Sequence, residues 1–211
     1  MSVTAADELH PAAQGAAEEL VALLSLEQLE ENLFRGQSQD LGWGAVFGGQ
    51  VLGQALAAAT RTVPRERAAH SLHAYFLRTG DVHRPIVYDV DRIRDGSSFT
   101  TRRVVAIQAG RPIFNLAASF QIEEPGFSHQ DDMPQVTPPE DLKNEQELAA
   151  TILSRLPRAL HERALRPRPI EIKPVDPPAD PLSAQPRPPQ RSVWLRAVGR
   201  LPEDPALQRC L

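Results

Sequence analysis

Two consecutive glycines, Gly48 and Gly49, open an apolar run from Val46 to Thr60 and place backbone N–H groups where a helix must begin. With no Cβ on either residue, a ligand can approach the main chain closely. The free N–H groups at Gly48, Gly49 and Gln50, with the positive end of the helix dipole, have the polarity to activate a carbonyl or hold an anion. The same glycines also suit close packing against a neighbouring element, and the sequence leaves both readings open.

Other constellations are weaker. His70 and His73 are the nearest approach to a metal pair, but residues three apart on a strand point to opposite faces, so no metal site is expected. His10, His83, His129 and His161 are scattered without ligand spacing. Asp89 and Asp91 share a strand face and have the types of an acid/base pair, although a solvated face explains them better. Arg102 and Arg103 point to opposite faces, and exposed charge is expected for both. Cys210 is the only cysteine, which excludes an internal disulfide or a multi-thiolate zinc site and reads as a free thiol. Neither Gly-x-Ser-x-Gly, Gly-x-x-x-x-Gly-Lys nor Gly-x-Gly-x-x-Gly occurs.

At 211 residues, 41% hydrophobic and 24% charged, the chain has ordinary globular composition. Its net charge of −4 supplies no basic surplus for a phosphate backbone, so nucleic acid is not an expected partner. The sequence shows no leader pattern and no apolar run of membrane length, and the expectation is a cytoplasmic protein without a membrane partner.

The elements that must position these residues come in a simple order. Met1 to Gly15 reads as a frayed terminus and Ala16 to Leu24 as a short amphipathic helix; Leu26 to Arg35 fits either a continued helix or a strand entering a turn. Gln37 to Gly44 is a polar loop. Val51, Leu52, Ala55, Leu56 and Ala59 then recur at helical spacing with small residues between them, so the helix is apolar nearly all round and must be enclosed. Strand-like segments come next at His70 to Leu77, Ile86 to Arg92, Phe99 to Gln108 and Pro112 to Gln121, separated by turn residues such as Asp95-Gly96-Ser97 and Ala109-Gly110. One buried helix and an antiparallel meander predict an α+β fold whose sheet curls around the helix. Of 20 prolines only five precede Pro134. The chain therefore passes into a proline-rich part near residue 130, with a solvated helix over Glu140 to Leu153, linker from Pro157, a potential edge strand at Ile170 to Lys173, and a strand at Ser192 to Leu201.

Several ordered blocks match a known pattern. Leu33-Phe34-Arg35-Gly36-Gln37-Ser38, Val46-Phe47-Gly48-Gly49-Gln50-Val51-Leu52-Gly53-Gln54-Ala55-Leu56, His70-Ser71-Leu72-His73-Ala74-Tyr75-Phe76-Leu77-Arg78 and Asp95-Gly96-Ser97-Ser98-Phe99 resemble the type II acyl-CoA thioesterases. Arg111-Pro112-Ile113-Phe114, Ala118-Ser119-Phe120-Gln121 and Ile170-Glu171-Ile172-Lys173-Pro174 extend the resemblance; Thr79, where the family often has proline, is a small departure.

The resemblance implies a double hot-dog fold, an antiparallel sheet wrapped around a central helix in each half. It gives residues 16–124 as the first hot-dog domain, 125–190 as a Pro-rich linker with a short helix, and 191–211 as the start of an incomplete second domain. It implies hydrolysis of fatty acyl-CoA to free fatty acid and CoA by water, without a cofactor. The family's water is positioned by an Asp, a Ser or Thr, and a Gln that would lie beyond Leu211. These match no residue of this sequence, so no catalytic residue is assigned and the isolated chain is expected to be inactive or nearly so. Asp204, in a Pro-Glu-Asp-Pro turn, is not promoted to that role. Gly48, Gly49 and Gln50 remain the substrate-binding candidates. The alternative is a non-catalytic acyl-CoA-binding or assembly half. Enoyl-CoA hydration ranks last, because Phe47-Gly48-Gly49-Gln50 offers no Asp/His pair. Pairing with a second hot-dog half or with another copy, as a homo-oligomer, is expected of a sheet with an open edge.

Overall fold

The structure, a computed structural model, describes residues 11–176, 186 and 188–211. The chain forms two compact units: residues 19–127 with 201–211, and residues 128–200 with the described part of 1–18.

Helix α1 (Pro11–Leu24) contributes residues to both units. Pro11 lacks the N–H that a helix start leaves unpaired, and the alanines after it are strong helix formers. Residues 11–15 are thus helical rather than frayed; residues 1–10 of the expected frayed terminus lie outside the described residues. The ambiguous stretch after α1 resolves as a hairpin of β1 (Glu27–Glu30) and β2 (Leu33–Gly36), where the Arg35 guanidinium reaches across the strands to Glu27.

Helix α2 (Gly48–Thr60) buries most of its length, from Gln50 to Ala59. Around it run β3 (Arg67–Phe76), β4 (Ile86–Asp95), β5 (Phe99–Gln108) and β6 (Arg111–Ile122). Among the described residues these join the first hairpin in a six-stranded antiparallel sheet of order β1-β2-β4-β5-β6-β3. Alternation decides which face meets the helix: Ile86, Tyr88 and Val90 of β4 are buried while Asp89 and Asp91 are exposed. Small residues on α2, among them Ala55, Ala58 and Ala59, let the sheet approach closely. The β5–β6 turn carries the left-handed pair Ala109 (φ 48°) and Gly110 (φ 72°), as a two-residue hairpin loop of matching twist requires. This is the α+β hot-dog arrangement that the sequence predicts.

Two expectations about side chains fail. Arg102 is 1% exposed, because it occupies the inner parity of β5 together with Thr100 and Val104; Arg103 alone is solvated, paired with Asp91 at 2.9 Å. His70 and His73 share the outer face, because a bulge between Ala69 and Ser71 breaks the alternation. His70 meets the Ser119 hydroxyl at 2.9 Å, and His73 stacks edge-on against Tyr75. No group of three or more His, Cys, Asp or Glu side chains placed to hold a metal ion occurs among the described residues.

In the other unit, Asn144 and Glu147 exchange reciprocal 2.8 Å hydrogen bonds that cap α3 (Glu145–Ile152). After α4 (His161–Leu165), strands β7 (Ile170–Pro174) and β8 (Val193–Ala197) pair antiparallel in a sheet of their own. The predicted strand at Ser192 to Leu201 is therefore shorter, and residues 158–165 of the expected linker are helical turns. Residues 177–185 and 187 of that linker lie outside the described residues.

The last element, α5 (Pro205–Gln208), returns to the first unit and packs on α2. The expected start of a second domain at 191–211 is thus divided. Residues 191–200 go with β7 and β8, whereas 201–211 join the first unit, burying Cys210 and leaving Leu211 exposed. Asp204 caps α5, accepting the Ala206 N–H at 3.0 Å. A Cβ at Gly53 would lie 2.6 Å from the Cys210 carbonyl oxygen, so this glycine is what lets the segment seat. Burial pushes the Cys210 thiol up to about 11 from its ordinary 9.0. Gly53→Ala is expected to unseat residues 207–211 and speed labelling of Cys210 by a thiol reagent at pH 8 at least about tenfold, as thiolate becomes accessible. An unchanged labelling rate would show that the contact does not hold the segment.

Candidate functional site

The entrance of α2 is built without a side-chain cap. Phe47 stands at the cap position in extended conformation, and its carbonyl accepts the N–H groups of Gln50 (3.1 Å) and Val51 (3.3 Å). The amides of Gly48 and Gly49, in the first turn, have no carbonyl of the helix one turn back to donate to, so the positive end of the dipole is concentrated on them. The three sequence candidates separate here. Gly48 lines an open cleft; Gly49 faces the Phe47 ring, which a Cβ would strike. Gln50 is turned into the loop instead: its Nε2 donates to the Gln37 carbonyl at 2.8 Å and its Oε1 accepts the Gln39 N–H at 3.3 Å. It orders the approach to the helix, and its polar groups are spent there.

The cleft has a volume of about 380 Å³. Its floor is apolar, formed by Val51 of α2 and by Ile113 and Phe114 of β6. Phe76 at the end of β3 and the connection Leu77 to Gly80 form the other wall. That connection is tied down by backbone. The Ile113 carbonyl accepts from Leu77 N (2.9 Å) and Arg78 N (3.1 Å), and Val46 N donates to the Gly80 carbonyl at 3.0 Å. Gln108 secures the turn from Asp81 to Arg84, accepting from Asp81 N at 2.8 Å and donating to the carbonyls of Asp81 and Arg84, each at 2.9 Å. Arg78 rests on the Pro112 carbonyl (2.6 Å), and no described carboxylate pairs with it. No Asp, Glu or His lines the cleft.

Behind the entrance lies a polar hub that sequence reasoning missed. Gln54 is fully buried, donating to the carbonyls of Leu23 (2.6 Å) and Gln37 (3.0 Å) while its Oε1 accepts the Tyr88 hydroxyl at 2.7 Å. Burial holds the Tyr88 phenol well above its ordinary range and therefore protonated as the donor. The cleft residues Phe76, Arg78 and Ile113 were also missed as site residues. Phe76 and Arg78 lie in a block that the sequence marks out, but only strand pairing brings them to the helix entrance. Away from the entrance, Asp40 gathers the N–H groups of Gly42, Trp43 and Gly44 and is held below the usual carboxylate range by them.

The geometry has known counterparts. A family model described as the acyl-CoA thioesterase N-terminal domain matches residues 38–121, which include α2 and all but the last residue of the meander. The chain is 42% identical over 192 residues to acyl-CoA thioesterase 2 of Haemophilus influenzae, covering 91% of this chain and 67% of that one. It is 43% identical over 199 residues to human acyl-coenzyme A thioesterase 8, covering 90% and 62%. Among solved structures, an acyl-CoA thioesterase II (TesB2) of Mycobacterium marinum superposes with a TM-score of 0.67 at 40% identity, over 90% of this chain and 65% of that one. A hot-dog protein of Alicyclobacillus acidocaldarius, at 20% identity and TM-score 0.58 over 75% of this chain and 55% of that one, shares the fold. The chain thus spans roughly two thirds of the length of the relatives it matches. With about two fifths of its residues identical to these relatives over nine tenths of its length, the chain belongs to the type II acyl-CoA thioesterase family.

Proposed function

We propose that this chain supplies the acyl-binding hot-dog half of a thioesterase that cleaves fatty acyl-CoA to free fatty acid and CoA. The observation that carries the reading is the cleft: an apolar floor beside helix-entrance amides and an arginine, with no Asp, Glu or His in its lining. Such a site can bind an apolar chain and polarise a carbonyl, but it has no general base for water. On this reading the hydrolytic groups lie outside this cleft and come from a second hot-dog domain, an assignment the absence of a general base in the lining supports. Residues 16–124 act as the first hot-dog domain and 125–190 as the connection; of 191–211, strand β8 leads toward a second domain, whereas 201–211 pack back on α2. Two features support pairing with a second half. The β7–β8 sheet has an apolar face containing Ile172 and Leu195, of which Leu195 is 63% exposed, so the sheet calls for a covering element. Strand β3 ends the larger sheet with no described strand on its outer side, a free edge for a second half or another copy.

Thioester cleavage by the 211-residue chain, followed as thiol release, should be absent or nearly so, while acyl-CoA binding measured calorimetrically is saturable. Robust turnover would place the hydrolytic groups within these residues. Failure to bind any acyl-CoA would overturn the reading altogether.

A further inference from the structure

We infer that the Phe76 side chain is the wall that sets how long an acyl chain the cleft accepts, an inference resting on the acyl-binding role proposed above. The ring is 60% exposed, unusual for a phenylalanine, yet it has a defined seat. Its Cε1 lies 2.9 Å and its Cζ 3.1 Å from where a Cβ would stand on Gly48, so it rests against the helix entrance, in space that only glycine leaves free. On its other side it meets the Phe114 ring at 5.0 Å with planes 56° apart. The side chain thus bridges the first residue of α2 and the buried floor of β6, and it lines the cleft between them. The chemistry of the lining fits an amphipathic ligand. Val51, Ile113 and Phe114 offer an apolar bed, and Arg78 with the Gly48 amide offers positive charge and a donor for the anionic, carbonyl-bearing end. A chain extending along that bed meets the Phe76 ring.

A wall of this kind gives a specific signature. Each methylene buried adds about fourfold in affinity until the chain reaches the ring, after which further methylenes add nothing. Calorimetric titration of the 211-residue chain with CoA and with acyl-CoAs of graded length should show that plateau. In Phe76→Ala the rise should continue by two or more methylenes, roughly tenfold or more in affinity for the longest chains. Short-chain affinity should fall a few-fold, and binding of CoA alone should not change. Phe76→Leu, which keeps an apolar side chain on the helix entrance, should lie between and guards against a folding defect in the alanine variant. A purely structural role would weaken all lengths in parallel. If acyl-CoAs bind with one length profile in all three proteins, the Phe76 wall is wrong and the acyl-binding reading stands. If no acyl-CoA binds the unsubstituted chain, both fall.

Discussion

Arg102→Met is expected to destabilise the hot-dog unit by about 3 kcal/mol, the order expected when a buried, hydrogen-bonded charge is deleted. Every donor of the guanidinium is engaged. Nε reaches the Thr62 hydroxyl (2.8 Å), Nη2 the Thr62 carbonyl (3.0 Å) and the Asp95 carboxylate (2.6 Å), and Nη1 the carbonyls of Arg94 and Thr101 (each 3.1 Å). One side chain thereby fastens the end of α2 to the β4–β5 turn. Arg67 grips the same turn from β3 through the carbonyls of Gly96 and Ser97, both at 2.8 Å. Methionine fills part of the volume but removes all five of the guanidinium's hydrogen bonds. Asp95→Ala should cost less, about 1 kcal/mol, because the Asp95 side chain is 56% exposed and water can take its place beside the cation. Arg102→Lys should fall between, keeping charge but losing the planar fork. Urea unfolding followed by far-ultraviolet circular dichroism orders the three variants. Equal losses for Asp95→Ala and Arg102→Met would mean that the ion pair, not the web of carbonyls, is what matters.

The same residue shows where sequence reading stops. The enclosure of α2 is legible because its apolar and small residues run around the whole helix, and β4 is legible because Ile86, Tyr88 and Val90 alternate with Asp89 and Asp91. Parity places Arg102 and Arg103 on opposite faces, but it cannot say which faces inward. That depends on acceptors at Thr62 and Asp95, which reach Arg102 only after the sheet has closed on the helix. The outer-face histidines reflect the same limit, since a bulge inserts one residue and cancels the parity argument. At the candidate site, the glycine pair and helix entrance were readable from local pattern. The cleft was not, because its walls come from α2, the end of β3 and the start of β6. Gln50 sits in the first turn of α2, but its side chain points to Gln37 and Gln39, in a loop without a periodic pattern to betray its path.

Gln54→Leu is the second substitution with a large expected effect, about 3 kcal/mol. The amide has no slack around it: a Cβ on Gly36 would lie 2.6 Å from its Oε1 and 2.9 Å from its Nε2. Leucine is close in size but branched, and it would leave the buried Tyr88 hydroxyl without an acceptor and the carbonyls of Leu23 and Gln37 short of a donor. Tyr88→Phe alone should cost about 1–2 kcal/mol, leaving the Gln54 oxygen unmatched in the core. The informative measurement is the double variant. If the two groups chiefly satisfy each other, Gln54→Leu with Tyr88→Phe should be less destabilising than the sum of the single changes by about 1 kcal/mol or more, since the phenol left stranded by leucine is then gone. Strict additivity would mean that the amide's worth lies in its bonds to Leu23 and Gln37, which tie α1 and the loop after β2 to the buried helix. The two outcomes differ for function as well. Gln37 is also held by Gln50, so a network centred on Gln54 fixes the loop leading to the helix entrance from two successive turns of α2. Loosening that loop should weaken acyl-CoA binding even though neither glutamine lines the cleft.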